Sequence, residues 1–174
     1  SKFKGRFAGT FGVSGSCSFY PSKTLGCFGD GGAVFTDDDE VAEYIRLMRD
    51  HGRAASGDVE DWGYNSRLDN LQAAVLDYKL ARYDEAIARR RALAAIYEAR
   101  LRGIDGLALP PGPDQDPDHF DIYQNYEIES DARDDLRAYL DAQGVKTIIQ
   151  WGGKTIHQFP KLNLNSDTPL TEAL

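Results

Sequence analysis

The residues best able to do chemistry stand in the run Ser16-Cys17-Ser18-Phe19-Tyr20-Pro21-Ser22-Lys23-Thr24-Leu25-Gly26-Cys27-Phe28-Gly29-Asp30-Gly31-Gly32. Lys23 is flanked by Phe19, Tyr20, Leu25 and Phe28, and no carboxylate lies within six residues on either side. An amine with no local counter-charge, in apolar surroundings that disfavour its cation, can shed its proton and attack a carbonyl carbon. Ser18, Ser22 and Thr24 supply hydroxyls that could hold a phosphate; hydroxyls of this kind also cap ordinary turns. Pro21 bends the chain, while Gly26, Gly29, Gly31 and Gly32 admit positive φ and close approach of backbone to a ligand. Two readings stand at this point: a nucleophilic lysine in a ligand-wrapping loop, or a solvated lysine in a glycine-rich turn.

Positioning such a lysine takes a frame. Residues 15–19 read as a short strand entering the loop, and residues 32–36 as a second strand leaving it. Asp37-Asp38-Asp39-Glu40 is a helix start, acidic at the positive end of the dipole, and Val41, Ile45 and Met48 continue one apolar face to about Arg49. That acidic run is a cap rather than a metal site. From Arg67 to about Arg102 one long helix is expected. Leu68, Leu71, Val75 and Tyr78 form one of its stripes, Leu93, Tyr97 and Leu101 a later one, and Gly103 its stop. The basic run Arg89-Arg90-Arg91 inside it is expected to be a solvated face. Beyond Gly103 come Pro110-Pro111-Gly112-Pro113 and an acidic stretch over 114–121, which form an irregular connection. A strand over 123–128, a helix over about 132–143 and a strand over 145–149 follow, a βαβ-like order for a small α/β domain.

Composition bounds the function. The 174 residues, 41% of them hydrophobic, can bury one sizeable core or two small ones. A net charge of −8 argues against a nucleic-acid partner, which needs a clustered basic face. Cys17 and Cys27 have no metal-spaced partner among His51, His119 and His157, so no metal site is expected, and reduced thiols in a cytoplasmic protein are the simple reading. No apolar run has the length of a membrane span, and no signal-peptide pattern opens the chain. His51, beside Gly52 just past a helix, is explained by the helix dipole, and His119 in the acidic stretch by solvation. Residues 1–12 begin mid-element, and residues 168–174 start a helical pattern and stop. The chain is therefore expected to be part of something longer.

A second polar block, Gly63-Tyr64-Asn65-Ser66-Arg67-Leu68-Asp69-Asn70-Leu71-Gln72-Ala73-Ala74, begins about forty residues after Lys23. An asparagine and an arginine ahead of a helix are ordinarily a cap and a surface ion-pair partner, and they can equally donate to an anion. The two blocks carry a resemblance. Ser18-Phe19-Tyr20-Pro21-Ser22-Lys23-Thr24-Leu25-Gly26, followed by Gly29-Asp30-Gly31-Gly32, resembles the cofactor-lysine motif of the DegT/DnrJ/StrS family of pyridoxal-phosphate-dependent nucleotide-sugar aminotransferases. The second block is similar to that family's Gly-x-Asn-x-Arg-(Met/Leu) segment. The resemblance covers most of the chain and is weakest over 110–121.

The resemblance implies an α/β chain that forms part of an aspartate-aminotransferase-like (fold type I) transferase dependent on pyridoxal 5'-phosphate. Residues 1–80 would be the second part of the large cofactor-binding domain. Residues 81–174 would be a linking helix and an incomplete small C-terminal α/β domain. The absent first half would carry an aspartate and a glutamine near the pyridine ring. The resemblance further implies that Lys23 is the catalytic lysine, covalently linked to the cofactor and later acting as acid and base, with Ser18 and Asn65 also holding the cofactor. Asn65 would reach the phosphate of the neighbouring subunit in a homodimer. Arg67, Trp151, Lys154 and His157 would meet the substrate, Trp151 by stacking and Lys154 by charge, although a tryptophan under a loop and an exposed lysine are equally ordinary. Glutamate would donate its amino group to a nucleotide-linked keto-deoxysugar, making an amino-sugar for a surface polysaccharide such as lipopolysaccharide or for a glycosylated metabolite. Rivals are a non-catalytic regulator or pseudoenzyme on the same scaffold, and a structural interaction domain. A sugar dehydratase of this resemblance carries histidine at the lysine position, and Lys23 argues against it.

Overall fold

The computed structural model describes residues 1–172, so that Ala173 and Leu174 of the expected final helical pattern lie outside the described residues. Two compact units are formed, Ser1–Arg100 with Pro111–Tyr126, and Leu101–Pro110 with the described residues from Glu127 onward. In chain order the elements are β1 (Lys2–Phe3), β2 (Arg6–Phe7), β3 (Ser14–Ser18), β4 (Gly32–Thr36), α1 (Asp39–Met48), α2 (Asn70–Leu80) and α3 (Tyr83–Leu101). They continue with β5 (Leu107–Ala108), β6 (His119–Phe120), β7 (Glu129–Ser130), α4 (Arg133–Ala142) and α5 (Pro169–Glu172).

In the first unit, β3 and β4 pair antiparallel from Ser14 opposite Thr36 to Ser18 opposite Gly32, so the two expected strands do frame Lys23. Thr36 ties the ribbon to the next element: its Oγ1 donates to Val13 O at 2.8 Å and accepts from Asp38 N–H at 3.1 Å. Asp38 then caps α1, its Oδ1 accepting the Glu40 and Val41 N–H groups at 3.0 and 3.1 Å. The acidic run is thus the cap its position suggests, a contact worth about 1 kcal/mol. A small sheet of order β2-β1-β6 completes the strands of this unit.

The single helix expected over 67–102 is two helices, broken at Ala81–Arg82. No glycine or proline marks the break; Arg82 N–H closes a tight turn onto Lys79 O at 3.0 Å instead. Both helices pack on a face that only partly coincides with the expected one, Leu68, Val75 and Leu101 being half-buried. Leu71 and Tyr78 are 83% and 63% exposed, whereas Leu76 is buried. In α3, Ala94 is buried while Leu93 and Tyr97 are exposed. The packed stripes are Leu68-Gln72-Leu76-Lys79 and Tyr83-Ile87-Arg90-Ala94, each spaced i, i+4, i+7 or close to it, and each carrying polar side chains inward.

Those inward polar groups correct a further expectation. Arg90 and Arg91 are not a solvated face. Arg90 Nη1 donates to Tyr123 O and Gln124 O at 3.1 and 2.9 Å. Arg91 Nη1 donates to Asp121 O at 2.7 Å, its Nη2 meets Asp114 Oδ1 at 2.5 Å, and its guanidinium lies 4.2 Å from the centroid of the Phe120 ring. The acidic stretch is therefore strapped onto α3. Tyr123, expected to open a strand, is buried in a left-handed turn (φ 49°), with its hydroxyl donating to Pro111 O at 2.7 Å. Residues 123–128 form no strand, because guanidinium groups rather than a neighbouring strand satisfy the carbonyls of Tyr123 and Gln124. His119 Nδ1 pairs with Asp116 Oδ2 at 2.7 Å while remaining exposed, as expected.

The second unit holds the antiparallel pair β5–β7, with Leu107 opposite Ser130, and α4, which matches the helix expected over 132–143. The strand expected over 145–149 is absent among the described residues: no ladder partner lies beside it, and Ile148 is 82% exposed. Short 3-10 turns at Gln150–Gly153, Ile156–Gln158 and Pro160–Leu162 follow.

Candidate functional site

The lysine loop, residues 19–31, is drawn shut at its base and pinned inside. Phe19 N–H donates to Gly31 O and Cys27 N–H to Phe19 O, both at 2.8 Å. Tyr20 through Lys23 form a turn with Pro21 second, the position its fixed φ favours, closed by Lys23 N–H on Tyr20 O at 2.8 Å. Cys27 is 1% exposed, its Sγ 3.0 Å from Phe19 O and 3.1 Å from Gly29 O. The loop glycines serve a different end from the one their freedom suggests. None of Gly26, Gly29, Gly31 and Gly32 has a positive φ. They let chain segments touch: a Cβ on Gly26 would come within 2.7 Å of Tyr20 O and Pro21 O, and one on Gly31 within 2.9 Å of Cys27 Sγ.

Lys23 itself is half-buried on this frame, and among the described residues no hydrogen bond or ion pair is recorded for its Nζ. Ser18, at the end of β3, accepts Tyr20 N–H on its Oγ at 3.3 Å and keeps its own proton to donate. Next to Lys23, Thr24 Oγ1 is buried without a partner. A primary amine without a counter-ion, flanked by hydroxyl donors, is the donor set that an anionic carbonyl compound such as pyridoxal phosphate fits. Beneath the loop stands α2. Gln72 Oε1 accepts the Phe28 N–H at 2.8 Å, and Lys79 Nζ donates to Gly26 O. Gln72 falls near the end of the second sequence block, whereas Lys79 lies outside both blocks and is signalled only by its spacing from Leu76 on the same helix face. At the start of α3, burial and then the Cys17 thiolate push the Tyr83 phenol above its usual pKa, with Arg90 pulling against them.

The remaining candidates are placed as follows. Asn65 pairs by backbone with Asp50, and its side chain is exposed. It is not the cap of α2, since Asp69 holds that position. Arg67 Nη1 meets Asp50 Oδ1 at 3.2 Å, and Asp50 also holds Arg53 Nη2 at 3.0 Å. The surface ion-pair reading of Arg67 is thereby met in this chain. His51 lies past the end of α1 in a left-handed turn (φ 63°), beside Gly52, which packs directly against Gly63 and Asp61. Trp151, Lys154 and His157 belong to the second unit. Trp151 is 81% exposed, and Lys154 Nζ lies 6.0 Å from the centroid of Phe159. His157 is engaged on both ring nitrogens, Nδ1 with Thr155 Oγ1 at 3.0 Å and Nε2 with Glu172 Oε1 at 2.6 Å. Two grooves open on the first unit. One of about 710 Å³ is lined by residues that include Val13, Phe35 and Asp38, the other, of about 530 Å³, by residues that include His51 and Trp62; Lys23 lines neither.

The sequence profile of the DegT/DnrJ/EryC1/StrS aminotransferase family matches residues 1–174. The chain belongs to that family. It is 43% identical over 152 residues to a Streptomyces venezuelae dTDP-3-amino-3,4,6-trideoxy-alpha-D-glucose transaminase, an alignment covering 87% of this chain and 39% of the relative. It is 37% identical over 151 residues to a pleiotropic regulatory protein of Geobacillus stearothermophilus, covering 87% and 40% respectively. Among solved structures, it superposes on S. venezuelae DesV, crystallised in complex with a ketimine intermediate, with a TM-score of 0.86 and 40% identity over 97% of this chain and 44% of that one. The chain thus spans about two fifths of the length of the curated relatives it matches. The α/β fold expected from the lysine and Asn-x-Arg blocks is the fold of this family member.

Proposed function

We propose that the protein to which this chain belongs is a pyridoxal-phosphate-dependent aminotransferase acting on nucleotide-linked keto-sugars. The observation that carries this reading is Lys23: a half-buried amine with no ion-pair partner among the described residues, on a tightly pinned loop, in a chain matched along its whole length by an aminotransferase family. The bound cofactor supplies an electron sink that makes an amino acid's α-proton removable. Lys23 Nζ would hold the cofactor at its carbonyl carbon, with water as the leaving group, and, once freed by glutamate's nitrogen, would serve as acid and base toward the donor's α-carbon. Ser18 Oγ–H would donate to the phosphate, a charge-assisted bond. The exposed Asn65 amide would donate to a phosphate held by a second copy of the chain in a homodimer. Arg67, Trp151, Lys154 and His157 are the candidate contacts of the nucleotide-sugar. Arg67 and His157 would have to leave their present partners to serve. No described helix is long and apolar enough to cross a membrane, and the protein is proposed to work in the cytoplasm.

The test uses the full-length protein with pyridoxal phosphate. Borohydride should fix the cofactor on the Lys23 peptide. Glutamate should convert the bound cofactor to its amine form and yield 2-oxoglutarate, and a dTDP- or UDP-linked keto-sugar should then gain the amino group. A protein that binds no cofactor at Lys23 would falsify the reading. The kinship with a regulatory protein favours a second reading, a regulator that binds the cofactor without turnover. Fixation at Lys23 without any conversion by glutamate would select it.

A further inference from the structure

The lysine loop is gripped from below by two side chains that the proposed chemistry does not use. Gln72 and Lys79 lie seven residues apart on α2, two helical turns and so on one face, with buried Leu76 between them. Gln72 Oε1 takes the Phe28 N–H at 2.8 Å, and its Nε2 fills the space beside Gly29, where an added Cβ would come within 3.0 Å. Lys79 Nζ donates to Gly26 O and lies 5.8 Å from the centroid of the Phe28 ring. The two contacts fall on either side of Cys27, whose thiol is buried against Phe19 O and Gly29 O. Gly26 in turn packs so closely under Tyr20 and Pro21 that it cannot shift without moving the turn that ends in Lys23. A path of direct contacts therefore runs from Lys79 through Gly26 to the Tyr20–Lys23 turn.

Resting on the reading of Lys23 as the cofactor lysine, we propose that Gln72 and Lys79 act as a two-point clamp that sets the position of Lys23. They are positioning residues: neither touches the amine, and both act through the loop backbone. Lys79 does so as a charged donor, which makes the stronger kind of hydrogen bond to a neutral carbonyl. A loop released by a fraction of an ångström presents its amine at a poorer angle to the cofactor's carbonyl carbon, and displacements of that order alter rates steeply.

The experiment compares full-length wild type with Lys79→Met, Lys79→Arg, Gln72→Leu and Gln72→Glu, each well below its melting temperature. Two quantities are read: the amount of pyridoxal phosphate fixed by borohydride on the Lys23 peptide at a sub-saturating concentration, and amide hydrogen exchange at Phe28 without cofactor. The clamp predicts that Lys79→Met and Gln72→Leu lower fixation at Lys23 between about ten- and a hundredfold. It also predicts faster exchange at Phe28 in Gln72→Leu. Lys79→Arg and Gln72→Glu, which keep the donor and the acceptor, should recover most of the loss. Fixation at wild-type level in both Lys79→Met and Gln72→Leu overturns the clamp while leaving Lys23 as the cofactor lysine. No fixation in wild type overturns the cofactor reading itself, whatever the variants do. Should Lys79→Met fail to fold, Gln72→Leu decides, and wild-type fixation in that variant overturns the clamp.

Discussion

Two irregular segments of the first unit, the lysine loop (19–31) and the acidic strap (114–123), are both laid on helices, and they are fastened in opposite ways. The strap is held by cations: Arg90 and Arg91 take carbonyls and a carboxylate, and Arg91 is 13% exposed while doing so. The loop is held by its own backbone, a buried thiol and two contacts from α2. In the strap Arg91 meets a carboxylate and Arg90 two carbonyl oxygens. Against the loop Lys79 is engaged, and Lys23, five residues after the last residue of β3, is not. The contrast teaches that the cations holding these segments are spent on backbone carbonyls and a carboxylate, whereas the Lys23 amine is left available for a ligand.

The largest effect separating the two regions should come from Lys23→Ala. In the full-length protein it should abolish covalent cofactor capture and lower transamination by about 10³-fold or more, read by borohydride fixation and 2-oxoglutarate release, with little change in melting temperature. Gly26→Ala reverses that pattern in the same loop. A methyl group forced to within 2.7 Å of two backbone oxygens should cost about 1–3 kcal/mol, seen in denaturant unfolding, and capture at Lys23 should fall with it. In the strap, Arg91→Ala should cost about 1–2 kcal/mol through lost hydrogen bonds and the Phe120 contact, yet leave cofactor capture unchanged. If it diminished capture, the two regions would not be separable. Arg67→Ala removes an ion pair whose partners are 48% and 32% exposed, so it should move stability by only about 0.5 kcal/mol, less in high salt. An effect on substrate KM would then be its informative readout.

Alkali should act last and on both regions. Burial, as the leading cause, raises the pKa of Tyr83 beside β3 and of Tyr123 in the strap above 10.0. The folded state thus holds these protons more tightly than the unfolded chain. Their contribution to stability is whole below pH 10.0 and is lost as pH rises through the folded values. Tyr83→Phe and Tyr123→Phe should each flatten that alkaline decline in a melting-temperature profile, with no effect of titration at neutral pH.

Sequence reasoning reached what is local. The β3–β4 ribbon around one loop, the Asp38 cap and the Tyr20–Lys23 turn follow from residues near one another in the chain. It failed where the deciding partner is distant. Gln72 and Arg90 turn inward because carbonyls and amides from remote segments need them, and an apolar-stripe reading chooses Leu71, Tyr78 and Leu93 instead. Residues 123–128 and 145–149 alternate like strands, but pairing requires a neighbour, which periodicity does not report. Gly26 and its companions illustrate the same limit: their abundance is legible, while their use for contact rather than for left-handed backbone is not.

The enclosure of Cys27 has a practical corollary. Cys27 is 1% exposed, while Cys17, ten residues earlier, faces solvent. An alkylating reagent therefore meets Cys17 at once and Cys27 only when the surrounding turn gapes open. The ratio of the two labelling rates is a built-in stopwatch for how often the region around Lys23 breathes, needing neither dye nor engineered tag.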